Sequence, residues 1–340
     1  MLSWFKKASP SNDAQFFSND IEYILVYAKN KQVWRPNRLP LNEKQKKYYK
    51  NPDNDPRGDW NSATYTCNKT NQQRPSLYYP IVNPNTGEEV WPKETAVWAY
   101  SKEQYAEHLK DNLLYWGADG KSRYPRFKKF LSNHQGVVNR TLLHYDDVGH
   151  TQGASMELKK LGIRGFETPK PVRLIERVIR IAGRPNSIVL DCFAGSGTTA
   201  QAVLELNQED GGNRHFILCT NNENNICENA TYPRVKTVIT GIRSDGSKYS
   251  DGIPANLKYY KTDFVARKEE YLSDALLQHI TEMIQLENGI NLDGKNYLMI
   301  LTDEQADELS AHWSQYPNIK AIYLNSNQVG RLSAVGQNLS

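Results

Sequence analysis

The run Leu190-Asp191-Cys192-Phe193-Ala194-Gly195-Ser196-Gly197 constrains the fold of this chain more than any other segment. Ser187 to Leu190 carries Ile188, Val189 and Leu190 in a row, which predicts a short buried strand of a parallel sheet. From Thr198 to Leu206, Ala200, Val203 and Leu204 recur at helical spacing, with Asn207 next in line, and predict a helix. A strand that passes through two glycines into a helix puts backbone at the carboxyl end of a sheet, where open α/β folds hold ligands. Gly195 and Gly197 lack a Cβ, so a small molecule can come close to the main chain.

The residue types narrow the ligand. Gly195, Gly197 and Ala200 satisfy G-x-G-x-x-A, so a nicotinamide dinucleotide is a formal match. No Lys follows the glycines to reach a β- or γ-phosphate, which disfavours a P-loop. Asp191 ends the strand just before the turn, where it would repel a pyrophosphate and hold a cationic, amine-bearing ligand. That favours S-adenosylmethionine. A glycine-rich turn that binds nothing is the bland alternative.

Asp191 to Thr199 resembles the D-x-F-x-G-S-G-T-T cofactor motif of the amino-methyltransferases that act on DNA. Glu167-Thr168-Pro169-Lys170-Pro171-Val172-Arg173-Leu174-Ile175 is similar to the T-x-K-P segment just before that motif in the β-ordered subgroup. Asn51 to Gly58, Val148 to Gln152 and Leu206 to Arg214 resemble the modification subunit of type III restriction-modification systems. The resemblance spans about residues 1 to 265 and implies a Rossmann-like, S-adenosylmethionine-dependent DNA adenine-N6 methyltransferase fold, here incomplete. It implies cofactor contacts from Asp191, Phe193, Ala194, Gly195, Ser196, Gly197, Thr198, Thr168 and Lys170, and a ribose contact from an acid after the next strand, for which Glu223 is the candidate and Asn221 or Asn222 the fallback. Glu228 reads as a surface charge.

The family's D-P-P-Y segment, which holds the flipped target base, has no counterpart, because no Pro-Pro pair occurs. In the β order it precedes these motifs, so the expectation is a C-terminal part whose catalytic segment lies on another piece, inactive alone and with no catalytic residue of its own. Double-stranded DNA, that missing N-terminal segment, a second modification subunit and a restriction subunit are the partners the resemblance implies. The rival from another class is a non-catalytic remnant that still binds DNA or a partner.

The net charge of +4 is modest but unevenly placed. Lys29, Lys31, Arg35, Arg38, Lys44, Lys46, Lys47 and Lys50 face a single acid, Glu43, between residues 29 and 50; Lys121, Arg123, Arg126, Lys128 and Lys129 form a second cluster. Such patches neutralise phosphates. Lys29, Lys31, Arg35, Arg38, Lys46, Lys47, Arg123, Arg126 and Lys128 are the candidate DNA contacts, within a segment the resemblance assigns to target recognition. Cys67, Cys192, Cys219 and Cys227 show no C-x-x-C spacing, and Cys192 and Cys219 fall in expected core strands, so neither a disulfide framework nor a zinc site is indicated. With no apolar run of membrane length and no signal-peptide pattern, the cytoplasm is expected, a bacterial one by resemblance.

The expected domains are a methyltransferase core from 1–34 and 150–265, an inserted target-recognition region at 35–149, and a small α/β appendage at 266–340. Ile21 to Tyr27 reads as a core strand of the same sheet as the cofactor strand. The insertion contains a hairpin signal around Asn83 to Gly87 and a helix capped at Ser101 with Tyr105, Leu109 and Leu113 on one face. Core packing is the expected use of most of its aromatics, among them Tyr65, Trp91 and Trp98. After it, Val172, Ile175, Ile179 and Ala182 form a helical stripe, with Thr168 as cap. In the appendage, a helix from Glu269 to Leu286 precedes a strand at 297–301, a helix at 303–313 and a strand at 319–324; the polar tail from Ser326 to Ser340 is expected to be mobile.

Overall fold

Short apolar runs separated by Asn-, Gly- and Pro-rich turns produce short strands, and the computed structural model, which describes residues 1–268 and 271–324, is accordingly a mixed α/β structure of small sheets. The chain divides into two units, Met1–Ala255 and a second that begins at Asn256, ten residues or so ahead of the boundary expected from the sequence.

The first unit opens with β1 (Leu2–Phe5) and β2 (Ile21–Ile24), paired antiparallel. Helix α1 (Glu43–Lys46) leads to β3 (Trp60–Thr64), β4 (Thr66–Cys67), β5 (Ile81–Val82), β6 (Glu89–Val90) and β7 (Val97–Trp98). Then come α2 (Lys102–Lys110), β8 (Leu114–Tyr115), β9 (Arg126–Phe130) and β10 (Leu142–Leu143). β10 pairs in parallel with β1, so everything between β2 and β10 is inserted between the two neighbours of β1. The chain continues through α3 (Tyr145–Val148), α4 (Thr151–Lys160), α5 (Val172–Ala182), β11 (Ile188–Asp191), α6 (Thr198–Asp210), β12 (His215–Leu218) and α7 (Tyr232–Thr240). β11 and β12 are parallel with α6 between them, a βαβ unit in which Asp191 faces Leu218.

Helix α5 joins two cores. Val172 and Ile179 pack with Ala202, Val203 and Leu206 of α6. Leu174, on another side of α5, packs with Trp4, Leu143 and Val148. The stripe expected from the sequence is thus only half the story: Leu174 and Ile181 are buried too, whereas Ala182 is exposed. Thr168 does not cap this helix. It adopts a left-handed conformation, and Pro171 stands at the N-cap with no side-chain hydrogen bond.

Two strand expectations need correction. β2 belongs to the β10-β1-β2 sheet and β11 to a separate pair with β12, because hydrogen bonding follows the short strands actually available. Neither strand is buried on both faces. Ile188, Leu190 and Ile217 are exposed while Val189 and Phe216 meet the α5–α6 core, since helices cover one face only and alternate residues point to opposite faces. For the same reason Cys192 and Cys219, just beyond the strand ends, are exposed.

The insertion is held by aromatic packing. Tyr65, Tyr79, Ile81, Val90, Trp98, Leu114 and Trp116 form its core, whereas Trp91 is partly exposed and donates to Glu89. The β5–β6 hairpin and the Ser101 capping box are present as expected; Leu113 lies beyond the end of α2.

In the second unit the expected long helix is two, α8 (Leu272–Leu277) and α9 (Ile280–Asn288), with its Glu269 start outside the described residues. β11 and β12 have their counterpart here in β13 (Tyr297–Ile300) and β14 (Ala321–Leu324), parallel strands joined through α10 (Asp303–Ala311) around Leu298, Ile300, Ala306 and Leu309. The polar tail from Ser326 lies outside the described residues.

The α5–α6 interface holds a half-buried carboxyl pair, Glu176 and Glu205. Burial beside Glu205 pushes Glu176 up to about 7, against the partial relief given by Arg180. A carboxyl raised in the folded state favours folding when protonated, so its contribution is full below about pH 4.5 and is lost as pH rises through about 7. Urea unfolding at pH 5 and pH 8 should therefore show a smaller loss of stability at the higher pH for Glu176→Gln than for the parent chain; equal losses would contradict the assignment.

Candidate functional site

The turn between β11 and α6 is shaped by its own residues. Asp191 accepts the Phe193 amide at 3.0 Å through Oδ1 and the Thr199 hydroxyl at 2.6 Å through Oδ2, so the carboxylate folds the loop back over the strand end. Gly195 and Gly197 have φ of 50° and 75°. At Gly197 an added Cβ would also stand a tight 3.1 Å from the Thr231 carbonyl, so the left-handed conformation and the close backbone both disfavour a side chain there. The Ala194 amide donates to the Cys219 carbonyl at 2.9 Å, which ties the turn to the end of β12.

The candidate cofactor residues separate into two sides. Asp191 and Gly195 are partly exposed and Phe193 is 91% exposed. Ala194, Ser196, Gly197 and Thr198 are buried. The Ser196 and Thr198 hydroxyls turn inward, where Arg234 of α7 donates to them at 3.0 and 2.8 Å, so these side chains shape the turn rather than lining a ligand surface.

Arg234 is wholly buried and also donates through Nε to Gln201 Oε1 at 2.7 Å. Burial pushes its guanidinium down to about 10, with Glu157 and Glu205 as the opposing charges, and it stays protonated at neutral pH. Glu157 is raised by its own burial. Neither Arg234 Nη2 nor Glu157 Oε2 has a hydrogen-bond partner among the described residues. One turn earlier, where a five-residue π-helical turn (Cys227–Thr231) enters α7, the Thr231 hydroxyl donates to the Gly195 carbonyl at 2.6 Å. Neither residue belongs to a motif legible in the sequence. The legible signal was a polar pair, Thr231 and Arg234, on the same helical stripe as Val235 and Val238.

The Thr168–Pro171 segment lies beside the turn, since the Thr198 hydroxyl donates to the Lys170 carbonyl at 3.2 Å. Thr168 is exposed and contributes a backbone bend. The Lys170 ammonium is paired with Glu22 at 2.8 Å and stands over the Trp4 ring at 5.3 Å. Partial burial acts to raise Glu22, but hydrogen bonds from Lys170 and Lys6 outweigh it and leave its carboxyl below the usual range. A ligand carboxylate at Lys170 would therefore compete with Glu22. Glu223 is exposed in a short 3₁₀ turn among Asn222, Asn224 and Asn225, all at positive φ. Asn222 is the organised member of this group, accepting the Cys227 amide and donating to Glu228.

Of the basic candidates, Lys29, Lys31, Arg35, Arg38, Lys46, Lys47, Arg123 and Arg126 are exposed. Arg35 folds back on the carbonyls of Lys31, Gln32 and Trp34, and Arg126 donates to Ser62. Lys128 is a correction. It is wholly buried, paired with Asp53 at 2.5 Å and Asp55 at 3.0 Å beside Trp60, and so is not open to phosphate. Its place on β9 turns it inward where its neighbour Lys129 turns out. The hydrogen bond from Arg57, with that from Lys128, holds the Asp55 carboxyl far below the carboxylate range against the effect of burial.

A family model for DNA methylases, of the N6/N4 methyltransferase type, matches residues 1–231, and the chain belongs to that family. It is 36% identical over 243 residues to the Mod subunit of the type III restriction-modification enzyme StyLTI of Salmonella typhimurium, covering 70% of this chain and 36% of that protein. The EcoPI Mod subunit of Escherichia phage P1 is 31% identical over 239 residues, covering 61% and 35%. The type II methyltransferase M.KpnI of Klebsiella pneumoniae is 32% identical over 207 residues, covering 56% and 46%. The chain thus spans about a third to a half of the length of these relatives. Among the described residues no helix is long and apolar enough to cross a membrane.

Lys128→Ala would leave Asp53 and buried Asp55 short of their ammonium partner, and should cost roughly 3 kcal/mol in chemical denaturation, against about 0.5 kcal/mol or less for exposed Lys129→Ala. Similar small losses for both would show that the burial of Lys128 does not hold in solution.

Proposed function

We propose that this chain provides the S-adenosylmethionine-binding part of a site-specific DNA adenine-N6 methyltransferase, the modification subunit of a type III restriction-modification system. The observation that carries the proposal is the β11–α6–β12 unit with an acid at its strand end and left-handed glycines at its turn, in contact with the Lys170 segment. The donor set suits a ligand with an ammonium near Asp191 and a carboxylate near Lys170, which is the amino-acid end of S-adenosylmethionine. The open space at Gly195, where an added Cβ would meet only Phe166 at 3.4 Å and the Phe193 carbonyl at 3.6 Å, suits close approach. A pyrophosphate has no such complement beside Asp191. The names of the relatives support modification of DNA and membership of a restriction-modification system.

Bound, S-adenosylmethionine supplies an electrophilic methyl group. The chain's part is to fix the ligand's amine through Asp191, to draw its carboxylate to Lys170 away from Glu22, and to keep the turn in one conformation. A ribose contact through the Glu223 turn, which follows β12 in the chain, would complete the cofactor's length. In this proposal β11, α6 and β12 are part of a Rossmann-like domain, residues 35–149 read the target sequence, the unit from Asn256 serves subunit contact, and a D-P-P-Y type segment outside these 340 residues holds the flipped adenine. A second modification subunit and a restriction subunit complete the assembly.

Isothermal titration of the whole chain should show binding of S-adenosylmethionine and not of NADH. Asp191→Asn keeps the Phe193 acceptor but removes the negative charge, and should weaken that binding about tenfold. The same chain incubated with duplex DNA should transfer no methyl group. Binding of NADH instead would overturn the cofactor assignment, and methylated adenine from this chain alone would overturn the external catalytic segment.

Duplex DNA should bind with an affinity that falls steeply with salt. Replacing exposed Lys46 and Lys47 together by Gln should lower the slope of log affinity against log salt by up to about two. An unchanged slope would remove these lysines from the DNA surface.

A further inference from the structure

We infer that Arg234 is a positioning residue for the cofactor site, buried beneath it and holding the Gly195–Thr198 turn and the Lys170 segment in a single relative geometry. This rests on the S-adenosylmethionine assignment proposed above. A guanidinium can only donate. Its Nη1 donates to both Ser196 Oγ and Thr198 Oγ1, so each hydroxyl must send its own proton elsewhere. The Thr198 proton goes to the Lys170 carbonyl at 3.2 Å, and the Ser196 proton goes to Thr198 Oγ1 at 3.1 Å. Arg234 therefore sets the direction of a chain of hydrogen bonds that ends on the backbone of the residue beside which the ligand carboxylate would sit.

The π-helical turn that leads into α7 makes a second contact. Thr231, three residues before Arg234, holds the Gly195 carbonyl, so α7 and the turn ahead of it together grip the loop at Gly195, Ser196 and Thr198. Nε of Arg234 meets Gln201 Oε1, and Gln201 donates in turn to Glu205 at 2.7 Å, which anchors the guanidinium to the first turns of α6. All of this lies out of water: Arg234 is 0% exposed, and Ser196, Thr198 and Gln201 are buried. An apolar side chain at 234 would strand three polar groups, which in a dry site is costly and would free the hydroxyls to rotate. Since a left-handed glycine turn has few barriers of its own, the geometry of the ligand side depends on what lies behind it.

The test uses the whole chain and four variants, Arg234→Met, Arg234→Lys, Thr198→Val and the Arg234→Met/Thr198→Val pair. Titration with S-adenosylmethionine should show about tenfold weaker binding for Arg234→Met, partial recovery in Arg234→Lys, and a pair no worse than the weaker single variant, because both act through one hydrogen-bond chain. Amide hydrogen exchange, read without ligand, should speed up together in the 193–199 and 168–171 segments of Arg234→Met and remain unchanged in β3 and β9. Parent-like affinity and parent-like exchange in folded Arg234→Met, or strictly additive losses in the pair, would overturn the inference. If Arg234→Met does not fold, Arg234→Lys combined with Thr198→Val supplies the same cycle. If the parent chain itself binds no S-adenosylmethionine, the cofactor assignment fails, and the exchange measurement alone decides whether Arg234 couples the two segments.

Discussion

A buried charge sets the terms for the candidate site. Arg234 enters the space behind the β11–α6 turn as a cation with no exposure to water, and such a group persists only where hydrogen bonds and opposing charge replace solvation. Ser196, Thr198 and Gln201 supply the acceptors, and Glu157 and Glu205 the opposing charge. The consequence runs outward: hydroxyls committed to Arg234 cannot also face a ligand, so the open side of the turn is left to Asp191, Phe193, Gly195 and main-chain atoms. Buried polar machinery on one side and a bare, glycine-permitted surface on the other are two aspects of one arrangement.

Around this point the first unit is joined by α5 rather than by a continuous sheet. Its Val172–Ile179 side belongs to the α6 core and its Leu174 side to the Trp4–Leu143–Val148 core. Trp4 adds a directional tie, donating its indole N–H to the Gly149 carbonyl at 2.9 Å. Gly149 in turn has φ of 83° and lies so near Pro171 that an added Cβ would fall 2.8 Å from the ring. The β10-β1-β2 sheet, the start of α4 and the start of α5 therefore meet where the backbone is most constrained, and Glu22 reaches Lys170 across the same junction.

Three of the segments that carried the family resemblance prove to be structural staples. In Asn51 to Gly58, the Asn51 side chain closes a turn on Asp55, which then takes both Arg57 and Lys128. In Val148 to Gln152, His150 Nδ1 accepts the Gly153 amide and caps α4. In Leu206 to Arg214, Asn207 brackets the backbone of Arg214, while Arg214 pairs with Asp210 and closes the α6–β12 connection. Such motifs mark a family because polar residues that replace regular secondary structure in a turn have few substitutes.

The sequence by itself determined the strand–turn–helix unit at Asp191 to Leu206, the parallel pairing that follows from a helix between two strands, and the capped helix at Ser101. Each rests on contacts within a few residues, where spacing and capping chemistry act directly. Tertiary structure alone decided which faces those elements show. Lys128 and Lys129 are indistinguishable in composition, yet the pleat of β9 buries one on Asp53 and Asp55 and exposes the other. Ser196 and Thr198 belong to a ligand-type motif by pattern, and turn inward only because Arg234, 38 and 36 residues away, arrives behind them. Ile188 and Leu190 have the composition of a core strand and lie open because α5 and α6 cover one side of their sheet. Local sequence sets the conformation of a segment; the partner brought to it by distant parts of the chain sets what each side chain is free to do.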